Sequence, residues 1–428
     1  MKVIQLYSFF TKLKDYDFIM KQIQSRMSDF LEYGLAVLLL LNCSSIYNGI
    51  PKCKNLFYIF IFVFLLLILM MRFPRTIKKG TKFFVTYAVY FSLLILVSVL
   101  NKGKDSSFYI RFFVFIPLFI YISTTNSDFD KSCFLLKIEN VIIILAASSL
   151  ILWILGPLSG ILHPTGTINI KWGSDRSYTN YFYLLFTHSK FSSSRFFSST
   201  NILANLLIYP ESPFASLIFI LGLTIELLCS EKKINWKKTI LLIIADITTC
   251  STTGIILIMI VLSAKYFIKE ISKNQVYTTN IIIKKFLLPL VLLIILCIGV
   301  YTALEIKKTN HFGSFSSHLN AFGNGMEAFL EKPFTGYGYS YNEDKLGNTT
   351  SGFFRVLTAG GIFFGILYLI PFIVGITKSI KNKYYNSAVM IGICFILLVL
   401  VIWQNSLLLL YLMCMFVTID KGIEFVKK

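Results

Sequence analysis

The sequence predicts an all-α polytopic integral membrane protein of about twelve transmembrane helices with two large outward-facing loops. Three observations predict it. The 428 residues are 56% hydrophobic and 14% charged, with a mean hydropathy of +0.71, whereas a soluble chain carries about a quarter charged residues. The run LFYIFIFVFLLLILM at 56–70 holds no charge, as the hydrocarbon core of a bilayer demands. Basic residues recur in every second connection, the pattern left when Lys and Arg are retained on one side of a membrane.

The predicted spans are 31–48, 56–71, 83–100, 108–123, 136–156, 213–229, 239–250, 253–268, 286–304, 353–376, 387–403 and 406–419. Their short basic connections orient them. Arg72, Arg75, Lys78, Lys79 and Lys82 lie in one, and Lys232, Lys233, Lys237 and Lys238 in the next. Lys265, Lys269, Lys273, Lys284 and Lys285 follow, then Lys378, Lys381 and Lys383. With these inside, both termini are cytoplasmic and residues 1–428 form a single membrane domain. The net charge of +20 then reports orientation, not affinity for nucleic acid. The eight cysteines are scattered, mostly in apolar runs, with no CxxC pair, so neither a disulfide framework nor a zinc site is expected. The first 30 residues are mixed polar and basic, unlike a cleavable signal peptide.

Two outward connections, 157–212 and 305–352, are far longer than the rest. Loops of this size are usually functional or disordered. Their aromatic content (Trp172, Tyr178, Tyr181, Phe182, Tyr183, Phe196, Phe197) argues against disorder. Short interfacial helices folded onto the membrane surface are expected there.

These loops hold all four histidines, His163 and His188 in the first and His311 and His318 in the second. An imidazole is the obvious general base for activating a hydroxyl, and a solvated loop histidine is the plainer reading. The first loop carries Arg176 and Arg195. Guanidinium forks bind phosphate bidentately, although an arginine here can equally snorkel to headgroups. Glu211, between Pro210 and Pro213 at the membrane boundary, could orient an acceptor, pair with an arginine, or simply favour a helix N-terminus. The second loop ends with Gly336, Tyr337 and Gly338, where a Gly-x-Gly permits tight turns or close approach of backbone to a ligand. No βαβ unit surrounds it, so it is not a nucleotide fingerprint. Arg355 lies just inside the tenth span, facing either protein or headgroups.

Further candidates lie within the membrane. The stretch Cys250–Gly254 reads as a tight outer turn lining a cavity. Glu139 and Asp246 are intramembrane carboxylates, for which a hydrogen-bonded partner in the bundle is the preferred reading. Asp15-Tyr16-Asp17 and Asp128-Phe129-Asp130 match the Asp-x-Asp of nucleotide-sugar enzymes, but no sugar-nucleotide domain accompanies them. With no Walker A and no HExxH, ATP is not an expected energy source.

In this order the features resemble the bacterial O-antigen polymerase (Wzy-type) superfamily, which includes the O-antigen ligases. The resemblance rests on Arg195 with Pro-Glu-Ser-Pro-Phe-Ala at 210–215 and on Ser-Thr-Thr-Gly at 251–254. It continues through Glu-Lys-Pro-Phe-Thr-Gly-Tyr-Gly at 331–338 and Ser-Gly-Phe-Phe-Arg-Val-Leu-Thr-Ala-Gly-Gly-Ile at 351–362. It covers the second half of the chain; the first five spans contribute only hydropathy.

The resemblance implies a glycosyltransferase of the bacterial inner membrane, a polymerase of O-antigen or a related surface polysaccharide. Such an enzyme moves a growing glycan from undecaprenyl pyrophosphate to a lipid-linked repeat unit at the periplasmic face. The donor already carries its leaving group, so no cofactor, nucleotide or metal is implied. By the same resemblance Arg176, Arg195 and Arg355 would clamp the pyrophosphate. Glu211, His311 or His318 would act as base, and Gly336, Tyr337 and Gly338 would form a substrate loop. The implied partners are the lipid-linked oligosaccharide and membrane lipid, with a chain-length regulator and a flippase beside them, and no nucleic acid. Ligases have a His-Asn pair where this chain reads Thr350-Ser351, a departure that favours the polymerase. The alternatives are an O-antigen ligase and a flippase or transporter, although carriers usually keep ionisable residues near the midplane and external loops short.

Overall fold

The structure, a computed structural model, describes residues 26–76, 80–100, 106–172, 174–189, 202–229, 234–271, 323–339 and 351–423. Its helices are α1 (26–42), α2 (Pro51–Thr76), α3 (Gly80–Leu100) and α4, whose parts Ser106–Tyr109 and Ile116–Thr125 flank a π-helical stretch, Ile110–Phe115. Then come α5 (Asp128–Trp153, ending in a π turn Ile154–Leu158), α6 (Ser212–Cys229), α7 (Trp236–Thr248) and α8 (Thr252–Ile271). A short α9 (323–331) precedes α10 (Gly352–Lys381), α11 (Tyr385–Leu400) and α12 (Leu407–Val417). Among the described residues, six helical segments are long and apolar enough to cross a membrane: Pro51–Arg72, Thr81–Val99, Ser107–Thr125, Asp128–Leu158, Ser212–Cys229 and Gly352–Lys381. The protein is a mostly helical, multi-pass membrane protein. The span expected at 286–304 lies outside the described residues.

Charged side chains gather at one end of the bundle. Glu32 accepts from Arg72 and, at 2.5 Å, from Lys137, which also reaches Asp29 at 2.6 Å. Lys131 and Lys82 donate to the Thr418 carbonyl at 2.8 and 2.7 Å, and Lys378 donates to that of Ile419 at 2.8 Å. Three ammonium groups thus meet the negative end of α12, where the helix leaves its carbonyls without intrahelical donors. Asp128 completes the lattice by accepting from the backbone N–H groups of Asp420 and Lys421 at 3.1 and 2.8 Å. The Asp128-Phe129-Asp130 motif is accordingly structural: Asp130 closes a capping box with Ser127 at the start of α5. Asp15-Tyr16-Asp17 lies outside the described residues.

The opposite end carries the first long loop, and here the expectation of interfacial helices is overturned. The loop folds into a three-stranded antiparallel sheet, β1 (Gly166–Trp172), β2 (Ser174–Tyr181) and β3 (Leu185–Thr187), so the fold is not all-α. The physical reason is a period-two pattern that loop composition hides. Ile168 stands opposite Tyr178 and Ile170 opposite Arg176 on one face, while Asp175 and Ser177 face water. Ile170 packs on Gly49 in the α1–α2 turn. The segment 204–210 runs buried beneath the sheet. It is stitched to β3 through Phe186 N–H to Leu207 O at 2.8 Å, to α1 through Tyr209 Oη to Leu40 O at 3.1 Å, and to α7 through Asn205 N–H to Thr248 O at 2.9 Å.

The predicted tenth span is broken. Gly360 and Gly361 leave helical geometry, Gly361 at φ 65°. A Cβ on Gly352 would lie 3.1 Å from Gln404 Oε1 and Tyr368 Oη donates to the Gln404 carbonyl, yet a straight helix would hold residues sixteen apart at about 24 Å. The first eight residues of α10 therefore fold back over the end of the bundle.

Candidate functional site

The sheet-bearing end brings the predicted residues into two groups. The first is built on β2 and the start of α6. Alternation along β2 turns Arg176 and Tyr178 toward the bundle. Tyr178 Oη donates to Pro210 O at 3.1 Å, and Arg176 Nη1 donates to Glu211 Oε1 at 2.6 Å. Partial burial pulls the guanidinium down, but the Glu211 carboxylate outweighs it and the Arg176 pKa rises above its ordinary value. Burial also pushes the Tyr178 phenol up. Two residues that sequence reasoning cast as clamp and base are partners of one another. Glu211 therefore presents a carboxylate with one oxygen already occupied.

The second group joins two glycine-bearing segments that sequence separates. The break at Gly360–Gly361 strips hydrogen-bond partners from the α10 backbone, which apolar surroundings do not tolerate. The loop 333–338 restores them. Tyr337 N–H donates to Thr358 O at 2.8 Å and Gly338 N–H to Ala359 O at 2.9 Å, while Ile362 N–H donates to Pro333 O at 2.7 Å. The approach is too close for side chains: a Cβ on Gly336, which sits at φ 62°, would lie 2.6 Å from the Ala359 carbonyl carbon. Tyr337 is further fixed by a hydroxyl bond to Glu331 and by Lys332, whose ammonium lies 4.3 Å from its ring centroid. Arg355 stands in the first turn of α10, one turn from this junction, with its carbonyl accepting from Thr358 Oγ1 at 3.2 Å.

Arg195, His311 and His318 lie outside the described residues. His163 is exposed, and His188 packs its ring 5.2 Å from that of Tyr178. Glu139 accepts from Lys238 at 2.9 Å at the charged end. The Cys250 turn is filled rather than open, because a Cβ on Gly254 would meet Ser216 Oγ and an Asp246 carboxylate oxygen at 2.3 Å. Asp246 is buried beside the Ser216 hydroxyl of α6. No group of three or more His, Cys, Asp or Glu suited to a metal ion occurs among the described residues.

One residue escaped sequence reasoning. Arg111 lies in the π-helical stretch of α4 and is only 7% exposed. Its Nε donates to Tyr58 Oη at 3.0 Å and its Nη1 to Tyr339 Oη, and the Tyr339 hydroxyl in turn donates to Asn405 at 2.8 Å. No carboxylate pairs with it among the described residues. The signal was available: a lone arginine in the apolar run 108–123. Inward from it, α3, α4, α10 and α12 enclose an apolar cavity of about 240 Å³, lined by Val89, Leu93, Ile116, Ile120, Pro371 and Leu410 among others.

No protein-family model and no curated protein matches the chain.

Proposed function

We propose that the chain is a polymerase of O-antigen or a related surface polysaccharide, a multi-pass glycosyltransferase of the bacterial inner membrane. It would use an undecaprenyl-pyrophosphate-linked donor and a lipid-linked acceptor at the periplasmic face. The proposed topology has about twelve spans with cytoplasmic termini, the charged end inside and the sheet-bearing end outside. The observation that carries the reading is the interlock of 333–338 with 358–362, one turn from Arg355. An irregular backbone held by cross-segment hydrogen bonds at one end of an apolar bundle suits a site that works on a membrane-anchored anion. The Arg176–Glu211 pair positions the sheet over that end, which leaves the pyrophosphate clamp to Arg195 and Arg355 and the base to His311, His318 or the second oxygen of Glu211.

Arg355→Ala and Arg195→Ala in the full chain, at unchanged membrane level, are expected to lower polymer formation by about 10²-fold, the cost of losing one preorganised charge donor. Polymer at the wild-type level from both would overturn the reading. The surface-glycan profile of a deletion strain separates the alternatives. A single repeat on core marks a lost polymerase, bare core with glycan stranded on carrier lipid a lost ligase, and absence of any outward-facing repeat a lost flippase.

A further inference from the structure

We propose that Arg111 and the apolar cavity beneath it form a binding site for a single-chain lipid phosphate, headgroup on the guanidinium and hydrocarbon chain in the cavity. Four observations carry it. Arg111 is buried to more than nine-tenths, and among the described residues both of its hydrogen bonds go to neutral phenols and none to a carboxylate. A guanidinium has five N–H donors, and a buried one without counter-charge is costly in an apolar bundle. Its chemistry therefore calls for an anion, and its planar fork matches phosphate oxygens in particular.

The second observation is depth. Arg111 is four residues from Ser107, where the span begins, or about 6 Å along the helix. That is just inside the outer edge of the apolar span, a depth from which a long arginine side chain reaches a headgroup phosphate.

The third is continuity. Phe112, next to Arg111, lines the cavity together with Ile116 and Ile120, four and eight residues on along the same helix. The spacing places all three on one face of α4. The cavity thus begins at the residue that follows the arginine and runs inward for about 12 Å. Its lipid-facing wall includes Val85 and Val89 of α3, which are 61% and 52% exposed, so a chain can enter sideways from the bilayer.

The fourth is width. One cavity of about 240 Å³ holds a segment of one hydrocarbon chain and not two chains side by side, which favours a polyprenyl phosphate over a two-chain glycerophospholipid. The polyprenyl identity rests on the functional reading above; the anion and the single chain do not. This arginine is on the fourth span, apart from Arg355 and Arg176, so the molecule would hold a lipid anion at a place additional to the proposed clamp.

The test measures binding of a long-chain polyprenyl monophosphate to the purified full chain in nanodiscs, with phosphatidylglycerol and inorganic phosphate as competitors. Arg111→Met is expected to weaken binding about tenfold or more. Val89→Trp, which fills the cavity from its lipid-facing wall and leaves Arg111 in place, is expected to weaken it comparably, and it guards against a folding defect in the first variant. Unchanged binding in Val89→Trp, or equal displacement by phosphatidylglycerol or by inorganic phosphate, would overturn the proposal. Binding that depends on Arg111 and Val89 in a chain whose deletion leaves surface glycan unaltered would remove the polymerase reading and keep this one. Polymer lost in Arg355→Ala, with lipid binding indifferent to Arg111 and Val89, would do the reverse.

Discussion

The Arg176–Glu211 pair has side chains 17% and 27% exposed, between the surface limit, where ion pairs contribute little, and the buried one, where a stranded partner is costly. Arg176→Met and Glu211→Gln should each destabilise by roughly 1–2 kcal/mol, and the double variant by less than the sum of the two. Thermal unfolding of the purified protein in detergent measures the cycle, and strict additivity would show that the pair does not couple. Glycine substitutions give a second contrast at this scale. Gly336 and Gly160 both have positive φ, 62° and 70°, yet only Gly336 is pressed against backbone. Gly336→Ala should cost roughly 2–4 kcal/mol, whereas Gly160→Ala should cost only the conformational strain, about 1 kcal/mol. Melting temperatures of the two proteins decide this, and equal shifts would deny the interlock its steric basis.

Among the elements, the β2–β3 hairpin is built against its own turn chemistry. In the three-residue loop between the paired Tyr181 and Leu185, Phe182 and Tyr183 occupy φ 51° and 59°, both exposed, where turn positions of this hand prefer Asn and Gly. Asn180 and Thr165 compensate: Tyr183 N–H donates to Asn180 Oδ1 at 2.8 Å and Phe182 N–H to Thr165 Oγ1 at 3.1 Å. Replacing the pair by Phe182→Asn with Tyr183→Gly should raise stability by about 1 kcal/mol. A fall in melting temperature would instead mean that the two rings make contacts worth more than the strain. The sheet itself was legible in part. The alternation of Ile168, Ile170, Arg176 and Tyr178 is visible in the chain, but outer-loop length and aromatic content drew attention to the membrane surface. The break in α10 was less legible, because paired glycines in an apolar run also suit close helix packing; only the loop at 333–338 converts them into a corner.

For the whole molecule, the lattice at the charged end ties the last helix to α3, α5 and α10. Asp128 accepts from the backbone N–H groups of Asp420, Lys421 and Gly422 while pairing with the fully buried Lys131 at 3.0 Å. Asp128→Ala should cost roughly 3 kcal/mol and speed hydrogen exchange at 419–423. Protection there unchanged from wild type would show that the segment is held by other contacts. The two ends of the bundle also yield a topological prediction. In cysteine-free protein, Ser159→Cys at the sheet-bearing end should react with a membrane-impermeant thiol reagent added from outside, and Asn382→Cys at the charged end should not. Both positions are exposed in the structure; the opposite labelling would invert the proposed orientation.

The sequence by itself determined that this is a multi-pass membrane protein and where most apolar helices run. Those properties are local: a charge-free run such as 56–70 carries its own reason to leave water. It also marked the segments around Glu211, Gly336–Gly338 and Arg355. What it left open was how they meet. The Arg176 partner is 35 residues away and the Tyr339 phenol on Arg111 is 228 residues away, and no periodicity within a helix or strand encodes such distances. The tertiary structure decided that a loop becomes a sheet, that a span becomes a corner, and that a lone arginine sits among phenols above an apolar cavity. Each outcome follows from one rule: polar groups inside an apolar bundle must find partners, and those partners come from distant parts of the chain.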